Sequence, residues 1–366
     1  MSQFLIPGVA FATAACLSAV GTWAMRRWSL ARGFIDRPGG HKGHLAGVAL
    51  GGGVPVVLAV VLPIVVGAFA ARWLSADSPE WLPGEIEKHL GGIVDKTPIA
   101  LQIVLATLLM CGLGLYDDAR PMKARSKFAG QLVLAVFLVV QCDLRLLSHW
   151  HFVPSALLSI LWIVGVTNSF NFLDNMDGLA GGVALISAGV FAITAMLAGQ
   201  LFVPTCCWLL VGALAGFLPF NVHPASIFLG DAGSLSIGLL VSVFTILTTF
   251  ADPAAGQRPF GVYAPLVVLA VPLYDTASVM LLRWRAGAPI WTGDRRHFSH
   301  RLVRRGMGVR QAVVLIWLAT LLTALPALLL PKSDWLVATA IAVYTLLIVF
   351  LVGLMERLAS HDEPAG

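Results

Sequence analysis

Apolar residues fall along this chain in long blocks, separated by short segments rich in Gly, Asp, Arg and Lys. A block of that length can cross hydrocarbon only if it hydrogen-bonds its own backbone, so each block predicts a helix. Eleven are read, near 4–25, 47–70, 98–116, 128–147, 153–170, 179–199, 203–220, 232–250, 261–282, 311–330 and 335–355. The pattern predicts an all-α, polytopic membrane protein forming a single transmembrane domain over 1–366. Arg26 and Arg27 follow the first apolar block instead of preceding it, the reverse of a cleaved signal peptide, so that block is expected to stay as a helix.

Composition agrees, with 58% hydrophobic and only 12% charged residues, a balance foreign to soluble domains. Charge placement adds an orientation. With the N-terminus outside, the loops near 26–46, 117–127, 171–178, 221–231 and 283–310 and the C-terminal tail face the cytoplasm. These segments hold three quarters of the 24 Lys and Arg residues, as the positive-inside rule requires. The sequence pI near 9.1 then reflects inner loops facing anionic lipid or an anionic substrate, not nucleic acid. The five cysteines have no metal-ligand spacing and read as small apolar residues. The outer segment 71–97 is long and acidic enough to hold a short surface hairpin.

The acidic residues sharpen this picture. GLGLYDDAR ends the third block with Asp117 and Asp118, and NFLDNMDGLAGG joins the fifth and sixth with Asp174 and Asp177. FLGDAGS opens the eighth with Asp231, and GDRRHFSHRL in the last inner loop carries Asp294, His297 and His300. Under the charge-derived orientation all four motifs meet the same cytoplasmic boundary, which points to one site. Each also has a plainer explanation. Asp117 and Asp118 could be a solvated helix end, although adjacent carboxylates repel unless Lys123, Arg125, Lys127 or Mg2+ relieves them. Asp231 could be an N-cap, or Gly230 and Gly233 could let the backbone approach a phosphate. The histidines lack further nitrogen or sulfur partners for zinc, and the oxygen-rich surroundings suit Mg2+ better. Of the eight arginines in the last loop, some serve topology, while Arg295, Arg296 and Arg301 are candidates for phosphate. Asp275, inside the ninth block, needs either a hydrogen-bonding partner or a function.

Carboxylates, Mg2+ and arginines on the inner face suggest phosphate-ester chemistry on a lipid with a nucleotide-linked donor. A secondary transporter would place its charges near the bilayer midplane, where only Asp275 lies. A DDxxD prenyl-diphosphate site fails at Pro121. A CDP-alcohol phosphotransferase motif fails because DGLAGG lacks its arginine.

At these motifs the chain resembles the polyprenyl-phosphate N-acetylhexosamine-1-phosphate transferase family. The likeness runs from DRPGGHKGHLAGVALGGG through YDD, NFLDNMDGLAGG, FLGDAGS and Pro272/Asp275 to the final HxxH. It implies eleven helices and transfer of a sugar 1-phosphate from a UDP-N-acetylhexosamine to polyprenyl phosphate, with release of UMP. It implies Mg2+, with Mn2+ as a substitute, in a multi-pass enzyme of the cell inner membrane, for which a homodimer is a compatible assembly. By motif match Asp231 is the metal ligand, and Asp117 and Asp118 handle lipid phosphate and metal. Asn171, Asp174 and Asp177 fall in the nucleotide-binding and catalytic loop. His297 and His300, with Asp294, Arg295, Arg296 and Arg301, bind the donor, and Lys42 and His44 of the first inner loop bind substrate. HFSHRL is similar to the H-x-H-H-R-L of the N-acetylglucosamine and teichoic-acid branch, with Ser299 in place of the middle histidine. The muramoyl-pentapeptide branch, with three consecutive histidines, is the alternative.

Overall fold

The computed structural model describes residues 2–36, 47–76, 84–248, 250, 258–287, 289 and 297–358. It is built almost wholly of helices. In chain order they are α1 (Ser2–Arg32), α2 (Gly53–Ala76), α3 (Gly84–Ala119), α4 (Ala124–Gln141) and α5 (Phe152–Leu173). There follow α6 (Leu179–Leu197), α7 (Phe202–Asn221), α8 (Gly230–Leu247), α9 (Ala264–Val268) and α10 (Ala270–Arg285). A short α11 (Phe298–Arg304), α12 (Val309–Ala324) and α13 (Trp335–Leu358) complete the set. Among the described residues ten helices are long and apolar enough to cross a membrane. An eleventh span is broken, with Pro259–Val268 bent by 62° against Ala270–Arg285. Pro272 has no N–H for the carbonyl of Val268, so the helical ladder is interrupted at the bend.

The segment 71–97 differs from the expected hairpin. Residues up to Ala76 continue α2, and α3 already begins at Gly84, fourteen residues before the apolar block that predicted it. Hydropathy marks where hydrocarbon stops, but a helix of ordinary formers such as Glu, Lys and Ile continues past that point. At the other end of the hydropathy scale, α8 is the axis of the bundle. Its best apolar stretch is 78% buried, against 17% for α13, whose side chains face outward as a lipid-facing helix must.

Close backbone approach holds α8 in place. A Cβ on Gly53 of α2 would lie 2.1 Å from the backbone nitrogen of Gly233, and one on Gly114 of α3 would lie 2.3 Å from the carbonyl oxygen of Asp231. Only glycine allows those contacts, in the manner of small residues at membrane helix crossings. The stretch before α8 is fixed as well. Two-residue strands β1 (Ile35–Asp36) and β2 (Val48–Ala49) pair antiparallel, and Ala49 bridges to Ile227. Gly52 and Gly53 donate to the carbonyls of Phe228 and Leu229, each at 2.9 Å. Both ends of the segment 37–46 are thereby tied close to the start of α8.

Candidate active site

The first turn of α8 collects the site. Its N-terminal amides need acceptors, and Leu229, which precedes the helix, offers no side-chain cap. Asp118, from the end of α3, supplies them instead. Its Oδ1 accepts the N–H of Asp231 at 2.8 Å and its Oδ2 accepts that of Ala232 at 3.1 Å. Gly230, at φ +71°, makes the tight entry, and a Cβ there would sit 2.6 Å from Asp118 Oδ2. The Gly230 amide donates to the Asp174 carboxylate. The amides of Gly230, Asp231 and Ala232 are thus taken by two of the protein's own carboxylates, at the positive end of the helix dipole.

Asp231 and Asp117 share a different partner. The Lys127 ammonium of α4 lies 2.5 Å from Asp231 Oδ2 and 2.9 Å from Asp117 Oδ2. Asn171 of α5 donates to Asp231 Oδ1 at 2.7 Å and to the Ser234 hydroxyl at 3.0 Å. Four carboxylates therefore converge on one helix end with a single lysine between two of them. The electrostatic cost registers on Asp174: burial, then the charges of Asp231, Asp118 and Asp177, push its carboxyl well above the usual carboxylate range. Such a cluster calls for more positive charge than one ammonium.

Asp177 is differently engaged. It is 8% exposed, and its Oδ2 accepts from His223 Nδ1 at 2.7 Å and from the Ala225 amide at 3.0 Å. It braces the turn between α7 and α8, a structural position for a residue that the motif match placed in the catalytic loop.

The end of α5 reaches a second group. While Asn171 holds Asp231, the ring of Phe172 lies 5.9 Å from that of His297, and the Ser299 hydroxyl donates to Asn175 Oδ1. Three positions within five residues therefore bind the carboxylate cluster to α11. His297 is aimed by Asp275, which is 1% exposed. Asp275 Oδ2 accepts from His297 Nδ1 at 2.9 Å and Oδ1 accepts the Phe298 amide at 2.8 Å. A carboxylate can only accept here, so Nδ1 carries the proton and Nε2 is left for other work. Arg283, 1% exposed, places its guanidinium 5.5 Å from the Phe172 ring centre, a cation–π distance. Arg301 donates to the Ser278 hydroxyl at 2.9 Å, and His300 lies half-buried on the same short helix.

The structure thus gathers Asp117, Asp118, Asn171, Asp174 and Asp231 at the start of α8, and connects His297 to them through α5. Lys42, His44, Asp294, Arg295 and Arg296 lie outside the described residues. Lys127, Arg283, Asp275, Asn175 and Ser299 enter as participants beyond the residues that the sequence assigned catalytic, substrate-binding or metal roles. Asp275 carried a sequence signal as a charge inside an apolar block, Lys127 as one of three counter-charges near Asp117, and Ser299 as a motif position, whereas Arg283 and Asn175 carried none of their own. Among the described residues no three His, Cys, Asp or Glu side chains form a closed metal cage. The place where a cation fits is the gap between Asp117 and Asp231, and an ammonium occupies it.

Comparison with known proteins bears on what this cluster serves. Residues 100–249, which include Asp117, Asp118, Asp174, Asp177 and Asp231, match the family described as glycosyl transferase family 4. The decaprenyl-phosphate N-acetylglucosaminephosphotransferase of Mycolicibacterium smegmatis is 32% identical over 78% of this chain and 77% of its own length. The "Probable undecaprenyl-phosphate N-acetylglucosaminyl 1-phosphate transferase" of Bacillus subtilis is 28% identical over 94% of this chain and 89% of its own. The undecaprenyl-phosphate alpha-N-acetylglucosaminyl 1-phosphate transferase of Escherichia coli is 26% identical, covering 88% and 83%.

Proposed function

Because the chain belongs to glycosyl transferase family 4, we propose that it transfers N-acetylglucosamine 1-phosphate to a polyprenyl phosphate, drawing on a UDP-sugar and releasing UMP. The observation that carries this reading is the carboxylate cluster at the start of α8, bridged by Lys127 and tied through α5 to His297. A lipid phosphate oxygen would attack the sugar-linked phosphorus of the donor. The new phosphoanhydride bond forms as the bond to UMP breaks, and UMP leaves with the electron pair. Such a transfer asks the protein to position two anions and to neutralise charge as it moves to the leaving phosphate.

The residues divide this work. Lys127, beside Asp117 and Asp231, supplies positive charge to incoming phosphate. Asn171 holds Asp231 in orientation, and Asp118 anchors the helix that presents it. His297 Nε2, fixed by Asp275, and Arg283 face the donor side, where Arg295, Arg296, Arg301, His300 and Asp294 add to the same binding. Lys42 and His44 join from the first inner loop, whose ends are pinned beside α8.

An oxygen-only donor set suits Mg2+, and Mn2+ could replace it. Asp231 and Asp117 would hold it, with the Lys127 ammonium that lies between them displaced toward the incoming phosphate. When bound, such an ion neutralises charge on the donor diphosphate. The excess of Lys and Arg on the inner loops supports a cytoplasmic position for this end of the bundle in an inner membrane, and a homodimer is compatible with it.

The test offers purified enzyme in detergent several UDP-sugars with undecaprenyl phosphate and scores the lipid products. UDP-N-acetylglucosamine should give a lipid-diphospho-sugar and stoichiometric UMP. Chelation with EDTA should stop turnover and added Mg2+ should restore it. Activity that survives thorough chelation would sink the metal assignment, and a product from no UDP-sugar would sink the donor assignment.

A further inference from the structure

A cavity of about 630 Å3 lies at the end of the bundle away from the carboxylates, within the size range of ligand sites, roughly 300–1,000 Å3. Each helix that lines it and also serves the site does so from its opposite end. α3 contributes the stretch beginning at Lys88 instead of Asp117, and α8 contributes Leu247 instead of Asp231. Along α8 alone that separation is about 24 Å at the helical rise.

Two glycines leave its wall open. Gly67 of α2 and Gly92 of α3 both line it, and a Cβ on either would meet nothing within 4 Å. Three of its polar side chains are turned onto backbone. Thr97 donates to the Ile93 carbonyl at 2.9 Å, Thr205 to Leu201 at 2.7 Å, and Gln200 to Leu247 at 3.0 Å. Away from Lys88, His89 and Lys96 the wall is mostly apolar, and it offers water few partners. Inside a membrane the filler of that chemistry is a hydrocarbon chain.

The charges are sorted around the space. Lys88, His89 and Lys96 of α3 line it, whereas Glu87 and Asp95 of the same helix do not. An apolar chamber with two ammonium groups on its lining complements a phosphate headgroup on an acyl chain. We propose that this cavity takes an acyl chain of an anionic phospholipid from the leaflet opposite the carboxylate cluster, with Lys88 and Lys96 holding the headgroup phosphate.

The full chain, purified and delipidated in detergent, is titrated with dioleoyl phosphatidylglycerol or dioleoyl phosphatidylcholine, and bound lipid is counted by native mass spectrometry. One saturable phosphatidylglycerol site, preferred over phosphatidylcholine, is expected. Each lysine near an anionic lipid contributes about fivefold, so Lys88→Gln with Lys96→Gln should weaken phosphatidylglycerol on the order of twentyfold and leave phosphatidylcholine unchanged. Gly67→Leu with Gly92→Leu should remove the site for both lipids. Equal affinity of the parent for the two lipids would overturn the proposal. So would undiminished phosphatidylglycerol binding in the lysine variant, or in a cavity-filled variant that melts like the parent. Lys88 and Lys96 are exposed, so their exchange keeps the fold and decides the matter even if the glycine variant does not fold.

Discussion

Removing the Lys127 ammonium would leave Asp117 and Asp231 without the counter-charge they share. Lys127→Met keeps the length of the side chain and deletes its charge. Transferase turnover should then fall ~100-fold or more, the scale of losing one preorganised electrostatic contact, while the protein still inserts and melts normally. Lys127→Arg should retain more activity than Met, and equal rates for the parent and the Met variant in a UMP-release assay would refute the role. Asp231→Asn and Asp117→Asn should each abolish transfer, measured the same way. The sequence showed that something positive had to sit by Asp117 and offered Lys123, Arg125 and Lys127 as equals. Helical phase alone could not choose among them, because the choice depends on Asp231, 104 positions further along. Asp118 is similar: its carboxylate was legible as chemistry, but its grip on the α8 amides is a contact across 113 positions.

At the scale of elements, the packing of α3 on α8 does two jobs at once. It buries apolar surface, and it delivers Asp118 to the α8 amides and Asp117 to Lys127. Gly114→Val should therefore separate the helices, because its Cβ would collide with the Asp231 carbonyl. Overpacking of that kind costs about 1–3 kcal/mol. A lowered melting temperature should come with a loss of turnover larger than the loss of folded protein. A variant that melts lower yet turns over normally per folded molecule would show that Asp118 and α8 keep their register without the close approach. The spans themselves were readable from hydropathy, since each must satisfy its own backbone. The polar first turns of α3 and the break before α10 were not readable from hydropathy. The first extends beyond hydrocarbon and the second depends on a single missing N–H at Pro272.

Over the whole molecule, the described site residues sit at one end of the bundle, and the buried charges Asp275 and Arg283 are tied to that end through His297 and Phe172. A transporter needs its substrate site exposed alternately to two compartments. This arrangement predicts that chemistry proceeds in detergent micelles, with neither a sealed vesicle nor an ion gradient. A requirement for either, seen by comparing micelles with proteoliposomes, would contradict it. The convergence was legible from the sequence as charge at helix ends, once the topology was counted. What the topology could not supply was the direct connection between the carboxylates and the last inner loop, which runs through the end of α5.

That connection has a consequence for chain length. Asn171, Phe172 and Asn175 touch Asp231, His297 and Ser299 within five residues. Most inter-helix turns accept insertions, but one added residue in this helical end would swing whatever follows it by about 100°. An alanine inserted between Phe172 and Leu173 should leave Asn171 on Asp231 and carry Asn175 away from Ser299. The insertion variant should still bind in the membrane and fold, yet lose transfer, whereas an equal insertion in the turn at Gly199 should be silent. The turn after α5 is thus a ruler between two halves of the site, and its tolerance for added length should be zero.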